Sequence, residues 1–235
     1  MFIPLKDDNP TSTFPFVTIT IIAANVLFFF YQLSLGPELK AFIFKLGVIP
    51  YEITHFTDLP PLNDLPIVTN FFTSIFMHGG FMHLIGNMWS LWIFGDNIED
   101  TLGHFKYILF YLVCGFVATI THIFFNFSSP VPVIGASGAI AGVMGAYILL
   151  FPHARVQTLL FIFIFIRIIP VPAVIVIGFW IFLQVISGMQ TIGITQSTGV
   201  AWFAHIGGFA AGILFIYLFG NKKIKLRRKY YNRCN

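Results

Sequence analysis

Charge is scarce in this chain. Only 9% of its 235 residues are Asp, Glu, Lys or Arg, against about a quarter in an ordinary soluble domain. With 57% hydrophobic residues and 30 phenylalanines, a soluble globular domain is excluded. Cysteine is scarce too. Cys114, inside an apolar run, and Cys234 are the two present, so no disulfide framework is expected, and no basic neighbour marks Cys114 as a nucleophile. The opening residues lack a basic stretch followed at once by an apolar run, so no cleavable signal peptide is expected. No fixed-period repeat, low-complexity tract or linker divides the chain. It reads as one membrane domain over residues 1–235, with its core at about 70–215 and a basic tail at 222–235.

What is present is a series of apolar runs near the 20-residue span of a hydrocarbon core. They extend over about Phe14–Leu35, Phe71–Phe94, His104–Phe125, Gly135–Phe151, Val171–Ile186 and Gly199–Phe219. The expected fold class is an all-α polytopic membrane protein, a bundle of six transmembrane helices. Its fourth helix is short, since about 17 residues rise only about 25 Å. Pro60, Pro61 and Pro66 break the mixed segment at 37–70, which is aromatic enough to lie partly in the interface. Asp96–Asp100 reads as a charged turn after the second span. The stretch from 152 to the fifth span, with Arg155, Arg167, Pro170 and Pro172, reads as an interfacial segment.

Basic residues set the orientation. Six spans put both termini on one side, and the tail holds Lys222, Lys223, Lys225, Arg227, Arg228, Lys229 and Arg233. A cluster just past an apolar helix is an anchor on anionic lipid rather than a nucleic-acid site. With Lys6, Lys106, Arg155 and Arg167 it makes eleven basic residues inside, against Lys40 and Lys45 outside. Both termini are therefore expected in the cytoplasm, and the membrane is expected to be a bacterial plasma membrane.

In this topology Ser137, His205, His83 and Asn87 all fall in the outer half of the membrane. Lipid tolerates no idle imidazole, so a water-filled cavity open to the outside is expected there. A serine hydroxyl attacks an amide only when a base takes its proton, and a neutral imidazole is the usual base. Helices four to six contain no Asp or Glu, so catalysis would use a Ser137–His205 dyad rather than a triad. Ser137 near a helix N-terminus adds free backbone N–H groups for an oxyanion, and Asn87 and His83 can add side-chain donors. Gly138 and Gly142 of helix four and Gly208 and Gly212 of helix six lie at four-residue intervals, which lets the two backbones approach closely. Ala139 departs from the Gly-x-Ser-x-Gly elbow of soluble hydrolases. His78 reads as a structural hydrogen-bonding group near the site.

At these residues a family resemblance appears. Gly135-Ala136-Ser137-Gly138 and Ala204-His205-Ile206-Gly207-Gly208 resemble the two catalytic signatures of the rhomboid family of intramembrane serine proteases. His78-Gly79-Gly80-Phe81-Met82-His83-Leu84-Ile85-Gly86-Asn87 resembles that family's second-helix signature. The resemblance implies a six-helix fold in which Ser137 is the nucleophile and His205 the general base. It also implies that Asn87, His83 and backbone N–H groups near Ser137 stabilise the oxyanion. Asp96–Gly103 is similar to the family's cytoplasmic turn, where Glu99 would bind structurally near the site. The Trp-Arg pair of the family's first loop is absent from 37–70.

The function this points to is an intramembrane serine endopeptidase that needs no cofactor or metal. Its partners would be single-span membrane protein substrates and membrane lipids. A small residue should precede the cut, beside Gly135 and Gly138. Helix five, with bulky Phe179, Trp180 and Phe182, would be the lateral gate, and Ser187–Thr198 its lid. Competing readings are a catalytically silent scaffold for membrane helices, a transporter with His and Asn at its substrate site, and a zinc site from His78, His83 and His205.

Overall fold

Glycine pairs and prolines decide where the apolar runs become helices. The computed structural model of the chain describes residues 2–63, 65–162, 165–191 and 200–219. In chain order a strand, β1 (Phe2–Asp7), precedes α1 (Phe16–Ser34). Three short helices follow, α2 (Leu39–Leu46), α3 (Pro50–His55) and α4 (Asn70–Thr73), then α5 (Phe81–Leu102), α6 (His104–Phe125) and α7 (Ser137–Leu150). A hairpin of β2 (Arg155–Ile162) and β3 (Phe165–Pro172) leads to α8 (Ala173–Thr191) and α9 (Trp202–Phe219). Four of these helices, α1, α6, α8 and α9, are long and apolar enough to cross a bilayer. The protein is therefore a mostly helical, polytopic membrane protein. Helix α7, at 14 residues, rises only about 21 Å, and α5 carries Asp96, Glu99 and Asp100 in its last two turns.

Three expectations change. The second apolar run does not become one helix over Phe71–Phe94. It forms α4 and a 3-10 turn, breaks at Gly79-Gly80, and continues as α5 to Leu102. Asp96–Asp100 is consequently helical, and the turn is Gly103 alone, at a φ of 79° that side chains rarely adopt. The chain is also not all-α. Strands β1, β2 and β3 form an antiparallel sheet in that order, with Phe2 opposite Leu160 and Arg155 opposite Pro172. The interfacial segment is the hairpin of that sheet. Its β-branched and aromatic residues suit a pleated strand, and Pro4, Pro170 and Pro172 stand on the two outer strands, where a missing N–H costs least. Finally, Ser187–Thr191 belong to α8, while the rest of the expected lid and the basic tail from Lys222 lie outside the described residues.

The core fills the space between α5, α6 and α7 with Leu91, Phe94, Tyr107, Phe110, Val143 and Tyr147, all at most 1% exposed. Helices α7 and α9 touch backbone to backbone. A Cβ on Gly208 would fall 2.0 Å from the Gly138 carbonyl oxygen, and one on Gly212 1.9 Å from that of Gly142. Any side chain at these two positions would push the helices apart, so glycine sets their separation. Helix α8 is held more loosely, with Ala173, Val176, Ile177, Gln184 and Gly188 as its buried residues.

Two carboxylates tie the sheet end together. Buried Glu99 accepts from the Val17 and Thr18 backbone N–H groups, each at 2.8 Å, and from the Thr18 hydroxyl at 2.7 Å. It also lies 2.6 Å from His104 Nδ1. It therefore satisfies N–H groups that the start of α1 leaves open, where negative charge is favoured. Asp7 of β1 accepts from the Tyr147 hydroxyl and from Asn97 Nδ2. Burial pushes its carboxyl up to about 7, against the Tyr147 hydrogen bond and with help from Asp96 and Asp8.

Candidate active site

The segment that enters α7 is pinned before it reaches Ser137. Val48 and Val133 exchange backbone hydrogen bonds of 3.1 and 2.8 Å, and Gly135 N–H donates to the Ser74 carbonyl at 2.9 Å. Gly135 adopts a φ of 123°, a conformation favoured by glycine. A Cβ there would stand 2.8 Å from His83 Cε1 and Nε2 and 3.7 Å from Ser137 Oγ. The bare glycine thus lets the His83 ring lie against the chain just before Ser137.

Ser137 is the first residue of α7, so its own N–H and those of Gly138 and Ala139 have no acceptor within the helix. His205, in the first turn of α9, places Nε2 2.8 Å from Ser137 Oγ. Its Nδ1 lies 2.7 Å from Gln184 Oε1 of α8, and Gln184 Nε2 donates to the Trp180 carbonyl at 3.3 Å. The indoles of Trp180 and Trp202 flank the imidazole at 5.6 and 6.3 Å between ring centres. Trp180, expected among the bulky residues of a gate, is instead part of the wall around His205. Phe179 and Phe182 are 55% and 57% exposed and face outward.

Just before α5, Gly79 N–H donates to Nδ1 of His83, in that helix's first turn, at 3.4 Å. The proton of a neutral His83 then belongs on Nε2, the atom beside Gly135. Asn87, one turn further on, is buried with its Nδ2 lacking a protein partner. His78 is 2% exposed, its ring 5.0 Å from that of His83, with neither ring nitrogen bonded to protein. The Gln32 side chain clamps its backbone, accepting from His78 N–H at 3.0 Å and donating to its carbonyl at 3.3 Å. A cavity of about 20 Å³ opens beside Ser137, walled by Gly135, Gly138, Ala118, Thr119 and Ser74. That is room for about one water-sized group.

Glu99 departs from the expectation. It lies twelve residues beyond Asn87 on α5, about 18 Å along the helix, so it is structural but not near this site. The three histidines do not form a metal set. Among the described residues no group of three His, Cys, Asp or Glu side chains could hold an ion. Gln184 is the residue that sequence reasoning missed. Its signal was available: it is the lone strongly polar group between Arg167 and Ser187, and such a group inside an apolar helix needs a partner.

A family model described as the Rhomboid domain matches residues 67–222. Curated relatives include "Rhomboid protein 1, mitochondrial" of Saccharomyces cerevisiae, 30% identical over 161 residues, which is 66% of this chain and 43% of that protein. "RHOMBOID-like protein 1" of Arabidopsis thaliana is 29% identical over 72% of this chain and 38% of its own length. "Rhomboid protease GluP" of Bacillus subtilis is 40% identical over 74 residues, 32% of this chain and 14% of that protein. In each case the chain spans less than half of the relative's length.

Proposed function

The chain belongs to the rhomboid family, and from that premise we propose that it is a serine endopeptidase cutting transmembrane segments within the bilayer. One observation carries the reading: Ser137 Oγ and His205 Nε2, from separate helices, stand 2.8 Å apart, the spacing a nucleophile and its base require. The B. subtilis relative is named a protease.

In the proposed reaction His205 Nε2 takes the Ser137 proton as Oγ attacks the scissile carbonyl carbon. The resulting oxyanion accepts hydrogen bonds from Asn87 Nδ2, His83 Nε2–H and the N–H groups at the start of α7. His205 then hands the proton to the leaving amine, which departs and leaves an ester on Ser137. Water attacks the ester with His205 again as base, and the hydroxyl is restored. No step needs a metal or cofactor.

The fold proposed for this chemistry has six spans, α1, α5, α6, α7, α8 and α9. Both termini lie in the cytoplasm of a bacterial cell, and Ser137 lies on the outer side of the plasma membrane. The substrate is a single-span protein, because a folded soluble chain cannot reach a dyad behind packed helices. Its helix must unwind before an amide is open to attack. Small residues and a Gly or Pro near its outer end favour this, and the cavity beside Ser137 favours a small residue before the cut. The outward-facing surface of α8 makes it the proposed gate. Phe182→Ala should speed cleavage of helical substrates more than of short soluble peptides.

The test is incubation of detergent-purified protein with a panel of single-span substrates, alongside Ser137→Ala. Cleavage near the outer end, lost in the variant, kept in excess EDTA and blocked by a phosphonate that labels Ser137, is the expected result. Equal cleavage by Ser137→Ala, or loss on chelation restored by zinc, would overturn the reading.

A further inference from the structure

We infer that Gln184 is the positioning residue of this site, an uncharged stand-in for the third member of a triad. It would hold His205 in the tautomer that can accept the serine proton. The inference rests on the serine-protease reading above.

The argument begins with the amide. Gln184 Nε2 lies 3.3 Å from the Trp180 carbonyl oxygen, and a carbonyl only accepts, so the NH₂ must face it. Turning the amide round would set oxygen against oxygen. The side-chain Oε1 is thereby committed to His205, 2.7 Å from Nδ1. An amide oxygen also only accepts, so Nδ1 must carry the proton. A neutral imidazole has one N–H, which leaves Nε2 with a lone pair facing Ser137 Oγ at 2.8 Å. The Trp180 carbonyl therefore fixes Gln184, Gln184 fixes His205, and His205 can serve as a base. The opposite tautomer would point N–H at the serine and could not take its proton.

Burial gives the arrangement its force. Gln184 is 7% exposed and His205 9%, so little water competes for either hydrogen bond. Among the described residues no carboxylate is bonded to His205, and the titratable side chains that influence it are His83 of α5 and His122 of α6. In a triad a carboxylate sets the tautomer and also stabilises the imidazolium. Gln184 can do the first without placing a charge inside the membrane, where charge is costly. The packing supports the assignment. Trp180 and Gln184 are one turn apart on α8, and the same Trp180 places its indole beside His205.

Two measurements test this. In wild-type protein labelled with ¹⁵N-histidine, the His205 resonances, assigned by their absence in His205→Gln, should show a protonated Nδ1 and a bare Nε2. A protonated Nε2 would overturn the inference whether or not any variant folds. In kinetics, Gln184→Met keeps the shape and removes the acceptor. It should lower kcat by about 10- to 100-fold, by analogy with the loss when the outer partner of a metal-bound imidazole is removed, with KM within about twofold and labelled folding signals unchanged. Gln184→Glu should restore kcat, since one carboxyl oxygen can accept from Nδ1 while the other, protonated, donates to Trp180. A Gln184→Met enzyme turning over at the wild-type rate would sink the inference while leaving the protease reading intact. Wild-type cleavage by Ser137→Ala would sink the protease reading without touching the tautomer measurement.

Discussion

The two ends of α5 solve opposite problems. At one end His83 lies against Gly135 just before Ser137, and Asn87 is buried with its Nδ2 unbonded to protein. At the other end Asp100 accepts from the Ser12 and Thr13 hydroxyls, and Glu99 accepts from the start of α1 and approaches His104. The site end leaves polar groups open, with Asn87 Nδ2 and both His78 ring nitrogens unbonded to protein. The sheet end satisfies its central carboxylate several times over. Unfilled donors are costly to bury, and they are useful only where something arrives to accept. The contrast teaches that one helix can satisfy its polar groups at one end and leave them open, for the proposed chemistry, at the other.

The strongest test of that division is the dyad. Ser137→Ala and His205→Ala should each lower kcat/KM by more than about 10³-fold, and the double variant should be no worse, because the two act as one unit. Their unfolding temperatures should match wild type. A large fall in stability would show that the site end is structural as well, and the contrast would be gone.

Asn87→Ala sharpens the same side. Loss of one oxyanion donor should cost about 10²–10³-fold in kcat, and because Nδ2 has no protein partner to abandon, stability should change little. A wild-type rate would take Asn87 out of the mechanism.

Glu99→Gln probes the opposite end. Replacing a charged acceptor of three hydrogen bonds with a neutral one should cost about 2 kcal/mol of stability, read from denaturant unfolding in detergent. The folded fraction should cleave at the wild-type rate. A selective loss of kcat with unchanged stability would couple the two ends.

The smallest effect concerns Asp7. Its carboxyl is held at about 7 in the fold, against 3.8 as the ordinary value, so the folded state prefers it protonated. Its contribution should be fully present below about pH 4, decline as pH rises through 4 to 7, and be lost above 7. The unfolding-temperature difference between wild type and Asp7→Asn should follow that window. A difference that is flat from pH 4 to 8 would remove Asp7 from the ledger of the sheet end.

Much was legible in the sequence because it depends on local chemistry. A shortage of charge and runs near 20 residues imply a bilayer whatever the fold. The bounds of the third helix, His104–Phe125, coincide with α6, because Gly103 and the polar Asn126 mark them directly. Ser137, His205, His83 and Asn87 stood out for a similar reason, since an isolated polar group in an apolar run demands explanation. Other features were decided by partners far away in the chain. Strand β1 pairs with residues more than 140 positions later, and no local pattern in Phe2–Asp7 names that partner. Glu99 caps a helix about 80 residues before it, which placed it away from the site its motif suggested. Gln184 reaches His205 across 21 positions and His205 reaches Ser137 across 68. A sequence can announce that a buried polar group needs a partner, since desolvation is a property of the residue. Which partner it finds depends on helix packing, and here that packing was set by glycines that let α7 and α9 touch.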